Sequence, residues 1–450
     1  MSRKYRLWLI LLVVAALFAL AACTPEEAEE PPADDGAAES VDEAVDEAEE
    51  EATEEAAEAT EEMVEETEEA AEEAGAEGEE FVFGVVLVGP RNDHGWSQAH
   101  YEGGQYVEEN IDGARMIVFE SLNPADAPEA TLEGVVDDMV SQGAQLVLTT
   151  SDEFEEDTVG VAEKYPDVTF ISISGDDAWA DGQDAGAATA NEGNLMGRME
   201  DMKAIAGCAA ALATDTGKIH YLGPLINFET RRLTASAYLG AKYCYENYRE
   251  LDPADLEFEV TWIGFWFNIP GVTLDPNDVM NQAIDGGADV TISGIDTTEA
   301  IVVTGQRAAE DERVFAVPYD FEGACEEAPD VCLGVPYFNW GPSYLETAQA
   351  VKDGTWEQSF EWNAPYWEDL TDNSQTPVGW IDGPALEANA DWQANLDDFK
   401  AKLASGDVNV WAGPINLQDG SEYVAEGEVA TDQEIWYLPQ LVEGMTGQSE

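Results

Sequence analysis

From residue 81 onward, short strand-like apolar runs alternate with helix-length stretches, and no other feature constrains the fold as tightly. Phe81-Val-Phe-Gly-Val-Val-Leu-Val88 is apolar nearly throughout, as a strand covered on both faces of a parallel sheet must be. A helix is expected from 95 to about 110. It is followed by a strand at 115–120, a helix at 130–142, a strand at 145–149, a helix at 156–164 and a strand at 169–173. Such alternation builds right-handed βαβ units. The pattern then repeats. Helices are expected at 195–212, 233–248, 276–286 and 297–309, with strands at 218–222, 257–263, 289–293 and 313–317. Further on, 391–405 reads as a helix and 408–412 as a short strand. The expected class is α/β, with two doubly wound halves and no GxGxxG or P-loop. With 450 residues and 44% hydrophobic content, the chain can supply a core to each half. Two such halves fit a bilobal binding protein and also some two-domain enzymes.

The N-terminus has a different texture. Arg3, Lys4 and Arg6 precede an apolar run from Leu7 to Leu20, and Ala21-Ala22-Cys23 follows. This is the layout of a secretory signal peptide, and it resembles the lipobox of bacterial lipoproteins. The resemblance implies acylation of Cys23, which becomes the new N-terminus. The other reading, a short transmembrane helix, requires ~20 apolar residues, and the run is shorter. Residues 24–80 hold 28 acidic residues, no basic ones and no aromatics. Such a segment buries too little surface to offset its ordering entropy, and its like charges repel at i, i+4. It is expected to be an extended, disordered acidic tether. The whole chain carries a formal net charge of −78, from 18 basic and 96 acidic residues. That balance repels nucleic acid and anionic headgroups and suits high salt.

Besides Cys23 there are Cys208, Cys244, Cys325 and Cys332, an even number in an exported chain. Four cysteines allow three pairings. Cys325 and Cys332 bracket a short acidic loop and are the favoured pair, which leaves Cys208 with Cys244. Four buried thiols are the alternative. With His94, His100 and His220 as its histidines and no CxxC, the chain gives no reason to expect a metal. No cofactor is expected either. There is no GxSxG and no HExxH, and three histidines leave little for acid–base work near neutral pH, so an enzyme is not expected.

Open α/β sheets place ligands at strand C-termini. The loop after the first strand carries Asn92, Asp93, Trp96 and Ser97, a flat apolar face with polar groups at its rim. Small-molecule pockets are built this way. The competing role for Trp96 is a core anchor. After the strand ending at Ile263, Trp266 or Phe267 offers a second aromatic face, with interlobe packing as the alternative. Asp320 and Asp296, each just past a strand, are candidate acceptors for ligand hydroxyl or ring N–H groups.

Trp96-Ser-Gln-Ala-His-Tyr-Glu-Gly103, Asn339-Trp-Gly-Pro342, Asp353-Gly-Thr-Trp356 and Trp411-Ala-Gly-Pro414 occur in this order. They resemble the basic membrane protein family, the nucleoside-receptor type of substrate-binding lipoprotein for ABC transporters. Gly427-Glu-Val-Ala-Thr-Asp432 and Val442-Glu-Gly-Met-Thr-Gly447 fit its longer members, so the resemblance spans about 81–447. It implies a type I periplasmic-binding-protein fold, with two lobes joined by a three-segment hinge. It further implies a purine nucleoside stacked between aromatics. In that register Asp93 and Trp96 fall at the family's acidic and stacking positions. Ser97 stands where nucleoside binders place a base-reading asparagine. Trp266 or Phe267 matches the second stacking aromatic, and Asp320 the ribose-binding aspartate. Phe338 stands where those proteins carry a lysine, so a free base or another small ring compound is also open. The expected division is 1–23 signal peptide, 24–80 tether, 81–190 plus about 313–340 as lobe 1, 191–312 plus about 341–412 as lobe 2, and 413–450 as a C-terminal extension. The expected partners are a small-molecule ligand, an ABC permease and the membrane that holds the lipid, with the protein itself a monomer. A ligand-sensing module for a signalling partner is an alternative. An anchored nucleoside hydrolase using Asp93 and Asp320 is a remoter one.

Overall fold

A computed structural model describes residues 80–183 and 185–449; the signal peptide, Cys23 and the acidic tether lie outside them. Strand β1 (Phe81–Val86) is buried along its whole length and sits between β2 (Ala114–Phe119) and β3 (Ala144–Thr149). With β4 (Thr169–Ile173), β5 (Glu192–Gly197) and β11 (Phe360–Asn363) these strands form a six-stranded parallel sheet, ordered β11-β5-β4-β3-β1-β2. A second parallel sheet is ordered β15-β7-β6-β8-β9. It contains β6 (Lys218–Gly223), β7 (Glu257–Trp262), β8 (Val290–Ser293), β9 (Phe315–Val317) and β15 (Met445–Thr446). An antiparallel pair, β10 (Gly334–Phe338) with β12 (Val378–Asp382), stands beside β9.

Helix α1 (Trp96–Asn110) follows β1, and α2 (Leu132–Ser141) and α3 (Glu155–Lys164) cover the first sheet. The second lobe centres on α4 (Met199–Ala213) and α5 (Phe228–Asn247), which pack more extensively than any other pair of helices. Their closeness is written in small residues. A Cβ on Gly207 would sit 1.7 Å from the Ala237 carbonyl, and one on Gly240 would sit 2.0 Å from that of Ala204. The Cys208–Cys244 disulfide links the same two helices, and Cys325 is bonded to Cys332. Helices α6 (Pro276–Asp285) and α7 (Glu299–Ala308) complete the outer layer of this lobe.

The lobes exchange more chain than the sequence indicates. Residues 192–197 are a strand of the first sheet, not the start of a helix in lobe 2. Glu192-Gly-Asn-Leu-Met-Gly197 is a short stretch of mixed polarity running into a helix, with no period of its own to mark the break. Segment 313–340 does not join lobe 1, because β9 pairs with β8. Helix α8 (Gly341–Lys352), with Pro342 in its first turn, packs on α1, and β11 pairs with β5. That part of 341–412 therefore belongs to the first lobe, while α9 (Pro384–Glu387) and α10 (Ala390–Ser405) return to the second. Residues 408–412 form no strand; Ala412 makes a single bridge to Val429.

Residues 413–449 are also no appendage. They form the hairpin of β13 (Ile415–Asn416) and β14 (Glu422–Val424), then α11 (Asp432–Trp436), and end by adding β15 to the second sheet. On the way they touch the first lobe. Tyr437 stacks on Trp179 with ring centroids 5.7 Å apart, and Trp179 stacks on Phe360 at 4.7 Å. The Arg232 guanidinium of α5 lies 3.9 Å above the Trp436 ring.

Candidate functional site

The two lobes meet at the C-terminal ends of their parallel strands. From the first lobe, Trp96 follows β1, Ser151 and Asp152 follow β3, and Ser174 follows β4. From the second, Glu229 follows β6, Trp266 follows β7, Asp296 follows β8, and Tyr319 and Asp320 follow β9. Together these residues line a cavity of about 300 Å³. Its free centre is narrow. A ring-sized ligand therefore reaches it only when the walls part.

Closure is visible in the cross-lobe contacts. The Gly95 backbone lies so near Asp296 that a Cβ there would be 1.6 Å from the Asp296 carbonyl oxygen. Asn227 Nδ2 donates to Asp152 Oδ2 at 2.8 Å, and His94 Nδ1 lies 2.7 Å from Glu327 Oε1.

Trp96 is 7% exposed, packed into the core and part of the cavity wall. Its Nε1 donates to the Thr150 carbonyl at 2.7 Å. Its ring meets Phe338 edge-on at 5.1 Å while also forming cavity wall. Trp266 faces it from the other lobe's share of the wall, and its buried Nε1 has no hydrogen-bond partner among the described residues. Asp320 is fully buried, with a φ of 70°. That left-handed backbone is costly for a non-glycine residue and is typical of functional sites. Neither Asp320 carboxyl oxygen meets a donor of good geometry among the described residues.

Other candidates lie elsewhere. Asp93 caps α1, Oδ1 accepting from the backbone N–H of Gly95 and Gln98 and Oδ2 from that of Ser97. Its oxygens are therefore spent on a helix start. Ser97 Oγ accepts from the Gly89 N–H at 3.0 Å. Asn92 is exposed, Phe267 packs edge-on against Phe265, and Phe338 stands behind Trp96. None of these five lines the cavity.

The sequence reading passed over Lys203, Glu229 and Asp152. Lys203 is fully buried on α4. Its Nζ donates to the Ser293 carbonyl at 2.7 Å and lies 3.1 Å from the Tyr319 ring centroid. The available signal was a lone lysine within Met202-Lys-Ala-Ile-Ala-Gly, a stretch that must be interior. Burial pushes the Lys203 ammonium well below its usual range, against the pull of Asp320 and Glu229. Burial likewise holds Asp296 and Asp320 well above the carboxylate range. For Asp296 the negative charge of Asp320 adds to the effect, whereas Lys203 opposes it at Asp320. Glu229 is pushed up to about 7 and Asp152 to about 6, mainly by desolvation. Among the described residues no group of His, Cys, Asp and Glu is arranged to hold a metal ion.

Residues 80–249 match the family model described as "ABC transporter substrate-binding protein PnrA-like" (Bmp). The chain is similar to this family over that stretch. It is 29% identical over 368 residues to a purine-binding protein of Brucella abortus, covering 82% of this chain and 93% of that protein. It is 24% identical over 374 residues to an ABC transporter protein of Haloferax volcanii named provisionally for glucose, covering 83% and 82%. A solved ABC-transporter solute-binding protein from Aeropyrum pernix superposes with a TM-score of 0.58 at 15% identity, covering 73% of this chain and 92% of that one. The fold is thus the type I periplasmic-binding-protein fold. The family model and both relatives are named as ABC transporter or purine-binding proteins, and the fold is the one such binding proteins share. Its relatives are binding proteins rather than enzymes. No helix among the described residues is long and apolar enough to cross a membrane.

Proposed function

We propose that this protein is an ABC transporter substrate-binding protein of the PnrA-like type, which binds a small planar ring compound of purine or nucleoside type between Trp96 and Trp266 and passes it to its permease. The reading is carried by one observation: the cavity between the lobes pairs a tryptophan from each lobe with buried acceptors that lack donors. The purine-binding relative from Brucella abortus supports it. An open form exposes one tryptophan on each lobe. Ligand gains its second set of contacts only on closure, and that differential affinity moves the hinge. The permease then recognises the closed form.

The anchor belongs to the same proposal. Cys23 carries the lipid, residues 24–80 connect it to the binding domain, and a diacyl anchor secures the whole. Cys23→Ser is expected to yield protein that neither labels with palmitate nor partitions with membranes.

Calorimetric titration of a purine, nucleoside and hexose panel tests the ligand. Trp96→Ala is expected to weaken the best purine by roughly 1–3 kcal/mol, the scale of base–aromatic stacking. Unchanged affinity with a large fall in melting temperature would leave Trp96 as core alone. Tight binding of glucose with no purine binding would replace the ligand class.

A further inference from the structure

The cavity's charge is lopsided. Four carboxyls line it, those of Asp152, Glu229, Asp296 and Asp320. Among the described residues, the cations that act on these carboxyls are Lys203 and Arg232, each holding a hydrogen bond elsewhere, although Arg232 Nη2 is buried without one. Arg232 Nε donates to Glu200 Oε1 at 2.6 Å, and Lys203 is held by the Ser293 carbonyl and the Tyr319 ring face. Asp320 is wholly buried, faces the cavity and has no donor of good geometry on either oxygen; Asp152 Oδ1 likewise lacks one. The ring surfaces beside these acceptors are tryptophans, whose faces attract positive charge more strongly than those of other aromatic side chains.

We infer that the ligand is a ring compound bearing a positive charge, such as an N-alkylated purine nucleoside or another cationic heteroaromatic, held between Trp96 and Trp266 with Asp296 and Asp320 as its counter-charges. This rests on the ring-ligand reading above and narrows it. A neutral ring returns at most hydrogen bonds to the carboxyls and no charge, so only part of the cost of burying them is offset. A cationic ring neutralises them in place, where the low dielectric makes each contact count. In its absence burial raises the proton affinity of Asp296 and Asp320, so a cation binds there in competition with protons.

The test compares matched probes on the full-length protein: 7-methylguanosine with guanosine, 1-methyladenosine with adenosine, and N-methylnicotinamide with nicotinamide. The charged member of at least one pair is expected to bind about tenfold tighter or more, in the range that desolvated cation–π contact supports. In an Asp296→Asn, Asp320→Asn double variant that advantage should fall to about threefold or less. If neutral purines bind as tightly as or tighter than their charged counterparts, the charge inference is overturned and the purine reading stands. If no pair binds, both fall. If the charged nicotinamide binds and no purine does, the charge inference holds and the purine reading fails.

Discussion

Glu229→Gln isolates the electrostatic strain of the cavity. Glu229 is 8% exposed, and burial raises its carboxyl from 4.5 to about 7. A carboxyl raised in this way binds its proton more tightly folded than unfolded. Its contribution to stability is complete below the unfolded value of 4.5 and is lost as pH climbs to the folded value near 7. At roughly 1.4 kcal/mol per pH unit, the separation of the two values amounts to about 3 kcal/mol. Glutamine has no such ionisation. Relative to wild type, E229Q should therefore gain about 3 kcal/mol between pH 4.5 and pH 7.5, whatever its offset at low pH. Paired urea titrations of ligand-free protein across that range measure the difference. Carboxyls elsewhere cancel in it, leaving neighbours such as Asp152, Glu200 and Arg232 as the groups whose response could alter it. A difference flat to within about 1 kcal/mol would show that Glu229 is solvated and that the cavity carries no such strain.

Gly95→Ala should lower ligand affinity with little effect on melting temperature, because the added Cβ meets the Asp296 carbonyl only when the lobes close; equal affinity in calorimetry would contradict the closure contact. Replacing both Cys208 and Cys244 by alanine should cost up to roughly 4 kcal/mol in urea unfolding, the loop-entropy value for a 36-residue separation. Non-reducing peptide mapping should recover Cys325 joined to Cys332, and free thiols at both would break that pairing. Trp356→Ala, remote from the cavity wall, should change stability and leave affinity alone; a tenfold affinity loss would move the site.

Most strands of both sheets were legible because a doubly covered parallel strand is an apolar run of fixed length, as Phe81–Val86 and Thr169–Ile173 are. Residues 192–197 and β9 were misassigned for a common reason. Their lobe is decided by partners far away in sequence, and nothing local records which sheet edge is free. The site divided along the same line. Trp96, Trp266, Asp296 and Asp320 follow strands, so position alone flagged them. Asp93 and Ser97 looked identical by that criterion, yet their oxygens are consumed by the start of α1. Glu229 and Lys203 sit on helices, where a single charge reads as surface until the helix is known to be buried on all sides.

The passage of residues 413–449 across both lobes has a consequence for how ligand binding is driven. A hinge whose two halves are joined only by flexible crossovers explores wide angles, and each ligand must recover the entropy of that search. Here the final strand is stitched into one lobe, while Trp436 and Tyr437 press on aromatics of the other. The strap acts like a chain on a door. It truncates the widest openings and so holds the two halves at high effective concentration toward each other. The closing-competent fraction of the free protein rises, and the share of intrinsic affinity lost to conformational selection shrinks by the same factor. Speed of release is then set by how far the strap lets the door swing, which makes these last residues a place where capture and delivery are balanced.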